Sequence, residues 1–325
     1  MKNWNFASYE QFWQVLGCDE EKMNECLAKK ADCYKIYEKQ KKEGVRTIYA
    51  IKSDSTLYAV QQQLQHRFLN SLYLPDTVCG FRRNYSYIDF LTPHISEERY
   101  RCFLRLDIKD FFGSIRTDDL KEALKYYISD AITAEERDLI LNMIIEIVTV
   151  DQKVVQGAVT SPMLSNLVFR QLDIRIERYC SRFDIKYTRY ADDMLFSGNT
   201  TYIHSRRFIS AISAIIASKG FELNYTKILR AKQEISLNGF VVGSGLRVSR
   251  KKLCNLNQII YKLESSNFDE FQSKYVLYHV RNQLAGYRSF LLHVMRTDEN
   301  EEQKDKLKDK INCIENLIKR HCAID

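Results

Sequence analysis

The sequence is poor in the residues that interrupt regular structure. Its 325 residues include only 3 prolines and 11 glycines, so we expect helices and strands joined by short connections. No apolar run approaches the roughly 20 residues that a membrane-spanning helix needs. The amino-terminal segment MKNWNFASYEQFWQ lacks the apolar core of a secretion signal. We therefore expect a cytoplasmic protein that makes no membrane contact.

The cysteines and the net charge bear on disulfides, zinc sites and nucleic-acid binding. The 9 cysteines are scattered and form no Cys-x-x-Cys pair, which favours reduced thiols over disulfides or a zinc site. The net charge of +7 permits binding to a phosphate backbone without requiring it. At this length the chain can bury a large core and form two or three subdomains.

Two adjacent acids, Asp192 and Asp193, lie between two apolar runs at residues 185–190 and 194–196. This pattern predicts a strand, a tight turn and a second strand, with both carboxylates at the turn. Adjacent acids in such a position favour a cation between them. The plain alternative is a solvated turn, in which Asp is a common residue.

A third acid, Asp107, lies in a segment that alternates like a half-buried strand, residues 104–108. A mixed sheet could place this strand beside the Asp192-Asp193 hairpin and bring the three carboxylates together. Mg²⁺ prefers oxygen ligands of this kind. Two such ions about 4 Å apart activate the attacking hydroxyl and stabilise the leaving oxygen in phosphoryl transfer.

The remaining pattern predicts alternating helices and strands. Thr133 to Glu136 has capping-box spacing and should open a helix. From Arg247 onward, after a Gly-Ser-Gly segment, the chain is basic and helical in pattern. The other predicted helices cover 8–33, with a break at Gly17, and 57–72, 117–128, 162–179 and 203–218. The predicted strands form a hairpin over 34–51 with a turn at 41–44, and further strands cover 103–109, 221–224, 226–229 and 236–242.

Five segments occur in a fixed order, at residues 103–115, 156–166, 187–197, 220–227 and 237–240. Together they resemble motifs A to E of reverse transcriptases, over about residues 40 to 245. The resemblance implies an α+β right-hand polymerase fold. It implies amino-terminal helices and fingers over 1–100, a palm with a mixed or antiparallel sheet and part of the fingers over 101–245, and a short helical thumb over 246–325.

The resemblance also implies an RNA-directed DNA polymerase and assigns roles to individual residues. Asp107, Asp192 and Asp193 match the catalytic carboxylates that bind two Mg²⁺ ions, joined by the carbonyl of Ile108. Phe112 matches the steric gate that favours dNTPs over ribonucleotides, and the plain alternative for it is a core aromatic residue. The other residues implied to contact the dNTP are Gln156, Lys227, Arg46 and Arg82.

A further set is implied to contact the primer and template. Its members are Leu237, Asn238, Gly239, Arg247, Arg250, Lys251, Arg281 and Arg288. For the cations the ordinary alternative is solvated surface. For residues 237–239 it is a simple strand end. For Tyr275, Tyr278 and Tyr287, which lie among the later cations, it is packing against the palm.

Among reverse transcriptases, the YADD string at 190–193 and the short length most resemble bacterial retron enzymes, so we expect no ribonuclease H, integrase, maturase or endonuclease domain. That resemblance implies a structured non-coding RNA as template and 2′-hydroxyl primer, an RNA–DNA duplex product, and an anti-phage role with an effector protein. Two retron signatures are incomplete in this sequence. Of the Asn-Ala-x-x-His signature, residues 90–94 keep only His94, and of the Val-Thr-Gly signature, residues 237–239 keep only Gly239. Another defence-associated reverse transcriptase and an RNA-binding scaffold therefore stay open. An RNA-dependent RNA polymerase is disfavoured by Phe112.

Overall fold

The computed structural model describes residues 6, 8–40, 45–98, 100–128, 132–265, 274–297 and 301–321, with eleven α-helices and ten β-strands. The predicted turn at 41–44 lies outside these ranges. Within them, no helix combines the length and the apolar character that crossing a bilayer requires.

The amino-terminal region has the predicted helices and hairpin. Helices α1 (Tyr9–Leu16) and α2 (Glu20–Ala28) are capped at their amino-terminal ends by Ser8 and Asp19, whose side chains accept hydrogen bonds from backbone N–H groups of the first turn. Gly17 ends α1 with a φ of +64°, a conformation that glycine adopts without strain. Strands β1 (Tyr34–Gln40) and β2 (Val45–Ile51) pair in antiparallel fashion.

Six further helices follow β2 along the chain. The capping box predicted at Thr133 and Glu136 is present at the start of its helix. Twelve residues of the longest of these helices are buried, which makes it a core element. The six are α3 (Thr56–Arg67), α4 (Tyr87–Leu91), α5 (Thr117–Lys125), α6 (Ala134–Val148), α7 (Ser161–Ser181) and α8 (Arg206–Ala217).

The largest sheet has five strands, which are β3 (Cys102–Lys109), β4 (Lys186–Tyr190), β5 (Asp193–Gly198), β6 (Glu222–Leu223) and β7 (Leu229–Lys232). Their order is β4-β5-β3-β6, and β7 also pairs with β3. Phe103, Leu104 and Leu106 of β3 are fully buried. Because β3 and β5 are neighbours, the sheet sets Asp107 beside the Asp192-Asp193 turn, as predicted.

Two of the predicted strands are wrong. Residues 225–227 form a short 3₁₀ turn, and the strand begins later, at Leu229. The single strand predicted over 236–242 is two strands, β8 (Ile235–Leu237) and β9 (Phe240–Val242). They are separated by Asn238 and Gly239, whose φ values of +48° and +93° suit a tight hairpin turn. Strand β10 (Leu246–Val248) completes this second sheet in the order β10-β9-β8.

The chain divides into two compact units. The first contains Met1–Phe90, Leu104–Phe196 and Tyr202–Leu229, and the second contains Leu91–Phe103, Ser197–Thr201 and Arg230–Asp325. Helices α9 (Arg250–Ser265), α10 (Lys274–Thr297) and α11 (Glu301–His321) belong to the second unit. The three-part division at residues 100 and 245 stays a prediction.

Candidate active site

The site forms where β3 meets the turn between β4 and β5. Asp107, near the end of β3, is only 3% exposed. The backbone N–H of the next residue, Ile108, donates to the carbonyl of Asp192 over 3.0 Å. Ala191 takes a φ of +57°, which makes the turn tight. This backbone link fixes the two acid-bearing segments side by side.

Arg105 joins two of the three acids. It precedes Asp107 by two residues in β3, so both side chains leave the same face of the strand. Its Nε donates to Asp193 Oδ1 over 3.0 Å, and its Nη2 contacts the same oxygen. The same Nη2 lies 3.5 Å from Asp107 Oδ2. One guanidinium group therefore gathers Asp107 and Asp193 into a single small site.

Lys227 supplies a second positive charge. Its Nζ donates to both oxygens of Asp107, over 2.9 and 3.2 Å. The short 3₁₀ turn that carries Lys227 is anchored nearby, because the backbone N–H of Asn224 donates to the carbonyl of Asp107 over 2.8 Å. The lysine side chain is about half exposed, so it reaches the acids from the solvent side.

Burial shapes the electrostatics of the hairpin acids. Burial raises the pKa of Asp192, a hydrogen bond from its own backbone N–H lowers it, the Asp107 carboxylate raises it further and Lys227 lowers it. Burial also raises the pKa of Asp193, while the Arg105 guanidinium opposes that shift. Negative charge is therefore costly here, and each nearby cation stabilises it.

The chemistry of these groups suits a hard divalent cation. The donors are carboxylate oxygens from two segments of the first unit, the ligand type that Mg²⁺ prefers. As the side chains stand, no three Asp, Glu, His or Cys side chains of the described ranges are grouped to hold a metal ion. Arg105 and Lys227 contact the oxygens instead. The metal-ligand roles of the three acids and of Ile108 stay predictions.

The loop before α7 packs against β2. The backbone N–H of Tyr49 donates to the carbonyl of Gln156 over 2.8 Å. Gly157 has a φ of +108°, and a Cβ there would lie 2.8 Å from the carbonyl oxygen of Tyr49. Only glycine permits this close approach. Arg46, half-buried, lies on the same strand β2 opposite Lys39.

Phe112 and Arg82 have defined neighbours. The ring of Phe112 is half-buried between Phe111, with ring centroids 5.5 Å apart, and Phe81 at 6.1 Å. The Arg82 guanidinium donates to the carbonyl of Pro75 over 2.9 Å and lies 4.1 Å from the centre of the Tyr85 ring. Arg82 thus stabilises its own loop, and its contact with a dNTP stays a prediction.

The residues implied to hold primer and template lie in the second unit. Leu237 is buried, and Asn238 and Gly239 form the β8–β9 turn. Two of the cations are paired, Arg247 with Glu234 and Arg288 with Glu315. Arg247 is exposed all the same, as are Arg250, Lys251 and Arg281, whereas Arg288 is half-buried.

The aromatic residues of α10 differ in their exposure. Tyr287 is buried beneath Lys252, whose Nζ lies 4.6 Å from the ring centre. Tyr287 therefore packs against a residue of α9, and packing of the tyrosines against the palm stays a prediction. Tyr278 is 54% exposed and stays available for stacking.

His94, the residue kept from the retron signature, is a core residue. It is fully buried, and its Nδ1 lies 2.7 Å from Ser197 Oγ. The same hydroxyl accepts a hydrogen bond from Arg101 over 2.9 Å. A structural role therefore fits this histidine.

A buried ion pair behind the turn was not predicted. Arg189 and Asp173 are both fully buried and form two hydrogen bonds of 2.8 and 2.7 Å. Arg189 also donates to the carbonyl of Ala191 over 2.9 Å, and so holds the Asp192-Asp193 turn from behind. The only sequence signal was an arginine within an apolar strand. The contact of Arg105 with the acids was not predicted either. The available signal was the i, i+2 spacing of Arg105 from Asp107, which places both side chains on one face of a strand.

Comparison with known proteins finds reverse transcriptases of similar sequence. The chain is 32% identical over 233 residues to the retron Mx65 reverse transcriptase of Myxococcus xanthus, covering 67% of this chain and 53% of that protein. It is 28% identical over 272 residues to the retron Ec86 reverse transcriptase of Escherichia coli, covering 80% and 76%. The chain thus spans about half of the first relative's length.

Solved structures share the fold. Telomerase from Candida albicans, solved with a fragment of telomeric RNA, matches with a TM-score of 0.51 at 11% identity, over 93% of this chain and 66% of that one. This likeness supports the right-hand polymerase fold. The reverse transcriptase (RNA-dependent DNA polymerase) family matches residues 29–242. The chain therefore belongs to the reverse transcriptase family.

Proposed function

We propose that this protein is an RNA-directed DNA polymerase whose reaction takes place at Asp107, Asp192 and Asp193. The observation that carries the proposal is the meeting of acids from β3 and from the β4–β5 turn, with Arg105 contacting both segments. Family membership implies dependence on a divalent metal ion. We propose two Mg²⁺ ions, held by the three carboxylates and the carbonyl of Ile108.

When bound, such ions would activate the primer hydroxyl and stabilise the leaving oxygen. The chain's own groups have separate tasks. Lys227, which contacts Asp107 over 2.9 Å and is half exposed, can turn toward a departing pyrophosphate and donate a proton or neutralise charge. The buried backbone link between Ile108 and Asp192 keeps the acids in register.

The remaining residues select and hold the nucleotide. The bulky Phe112 would crowd a ribose 2′-hydroxyl and thereby favour dNTPs. The loop that carries Gln156 is fixed to β2. From this position Gln156 would hydrogen-bond the sugar or a template base. Arg46 on β2 and Arg82 would bind the triphosphate or the template backbone.

Primer extension with dNTPs on an RNA template tests the activity. We expect Asp107→Asn and Asp192→Asn to lower kcat at least about a hundredfold, because each removes a charge from the cation site. Asp184→Asn is the matched control, since Asp184 is exposed and has a φ of +52° that Asn tolerates. Undiminished synthesis by Asp192→Asn would contradict the proposal, and preference for NTPs would indicate an RNA polymerase.

We further propose that the enzyme is retron-type and cytoplasmic. In this view it copies part of a structured non-coding RNA, starting from a 2′-hydroxyl of that RNA, and yields a branched RNA–DNA molecule (msDNA). We also propose that this msDNA synthesis serves anti-phage defence together with an effector protein. The support is the similarity to two retron enzymes. RNA and the RNA–DNA duplex would contact residues 237–239, Arg247, Arg250, Lys251, Arg281 and Arg288.

Sequencing the nucleic acid that co-purifies with the protein from its host tests the retron proposal. We expect a short DNA joined to RNA by a 2′,5′ linkage that a debranching enzyme cleaves. DNA with another linkage would favour a defence-associated reverse transcriptase with a different primer or template. A biological effect that survives Asp192→Asn together with Asp193→Asn would favour the RNA-binding scaffold.

A further inference from the structure

Phe81 has an exposed side chain and an unusual backbone conformation. Its large apolar side chain is 40% exposed. Its backbone φ is +58°, in the left-handed region that bulky side chains seldom adopt. Such a conformation persists only where the surroundings impose it, and it is frequent at functional sites.

The backbone around Phe81 is fixed against the Asp192-Asp193 turn. The N–H of Cys79 donates to the carbonyl of Arg189 over 2.8 Å, and the Asn166 side chain donates to the carbonyl of Gly80 over 2.8 Å. A Cβ on Gly80 would lie only 2.5 Å from the backbone nitrogen of Ala191. The loop therefore lies directly on the catalytic turn, and this contact sets the position of Phe81.

The Phe81 ring lies between two residues of the site. Its centroid is 6.1 Å from that of Phe112, at an interplanar angle of 51°. It is 6.4 Å from the ring of Tyr190, the residue that begins the YADD string. Tyr190 in turn contacts the fully buried Phe90 at 6.0 Å. Phe81 thus links Phe112 to a rigid aromatic cluster.

We propose that Phe81 is a specificity-determining positioning residue, which holds the ring of Phe112 in the orientation that excludes a ribose 2′-hydroxyl. Phe112 contacts Phe111 on one side, and Phe81 is its contact toward the turn. Without the Phe81 ring, Phe112 gains room to rotate away from the sugar. The proposal rests on the proposed polymerase function and assigns sugar discrimination to a pair of rings instead of one.

The test measures kcat/KM for dNTPs and for the corresponding ribonucleotides on one RNA template. Phe81→Gly removes the ring at a backbone conformation that glycine adopts freely, so the loop keeps its shape. We expect the dNTP preference to fall about three- to tenfold, the contribution of one aromatic pair. Phe81→Tyr keeps the ring and should keep the preference.

Phe183→Ala is the matched control, because Phe183 is 41% exposed and its ring contacts are with Tyr179 and Tyr202, not with Phe112. This variant should retain the preference of the unmodified protein. An unchanged preference in Phe81→Gly overturns the proposal, and so does a loss of dNTP use without a relative gain in ribonucleotide use. Failure of the unmodified protein to extend with dNTPs overturns the polymerase function itself.

Discussion

The buried pair of Asp173 and Arg189 gives the sharpest prediction for stability. Both side chains are fully buried, and two hydrogen bonds of 2.8 and 2.7 Å join them. Tyr187 donates a third bond to Asp173 over 2.8 Å. Burial raises the pKa of Tyr187 well above its usual range, so this hydroxyl stays a donor. Asp173→Asn would keep the volume but leave the Arg189 charge without its partner.

The size of the effect follows from that burial. Breaking a buried ion pair by removing one charge costs about 3 to 5 kcal/mol. Tyr187→Phe removes one hydrogen bond and should cost only about 1 kcal/mol. Glu222→Gln is the control, because Glu222 and Lys109 form an exposed pair at 3.5 Å, 72% and 66% exposed, which should contribute less than about 1 kcal/mol.

Urea unfolding followed by circular dichroism measures these differences. The Asp173→Asn variant should also lose polymerase activity under conditions where it is still folded, because Arg189 holds the carbonyl of Ala191 at 2.9 Å and so positions the Asp192-Asp193 turn of the proposed active site. Unfolding free energies that are equal within about 1 kcal/mol for Asp173→Asn and Glu222→Gln would refute the reasoning, since buried and exposed pairs would then contribute alike.

Three other outcomes are expected. Arg105→Leu should bind Mn²⁺ about tenfold more tightly in calorimetry, because the cation on Asp107 and Asp193 is gone, and weaker binding would contradict this. Gly80→Ala should unfold more easily by about 1 to 3 kcal/mol, since its Cβ meets Ala191, whereas Gly245→Ala, with open space, should not. Burial raises the pKa of Cys33 to about 11, so iodoacetamide at pH 8 should label it more slowly than the exposed Cys254. As the raised value belongs to the folded state, stability should fall as the pH rises above the thiol's ordinary 9.0.

Local patterns predicted much of the fold. The capping box at Thr133, the hairpin of β1 and β2, and the turn at Asp192 all follow from periodicity and turn chemistry over a few residues. The errors came from weak local signals. Apolar residues over 236–242 suggested one strand, although Asn238 and Gly239 divide it with a turn.

The candidate site was predictable in its acids but not in their surroundings. The order of five motifs indicated Asp107, Asp192 and Asp193 because the chemistry limits which residue types serve. The contacts of Arg82 with Pro75 and Tyr85 left no trace in the sequence, from which we expected either a dNTP contact or solvated surface. The sequence likewise did not indicate that His94 is fully buried.

The sequence by itself determined the family, the acids and the run of helices and strands, since these depend on residue type and short spacing. Only the tertiary structure decided that Arg105 bridges Asp107 and Asp193, that Arg189 pairs with Asp173, and that Phe81 braces Phe112. The physical reason is that side chains meet through strand order and helix packing. A linear pattern reports which face of its own element a residue occupies, not which distant residue it contacts there.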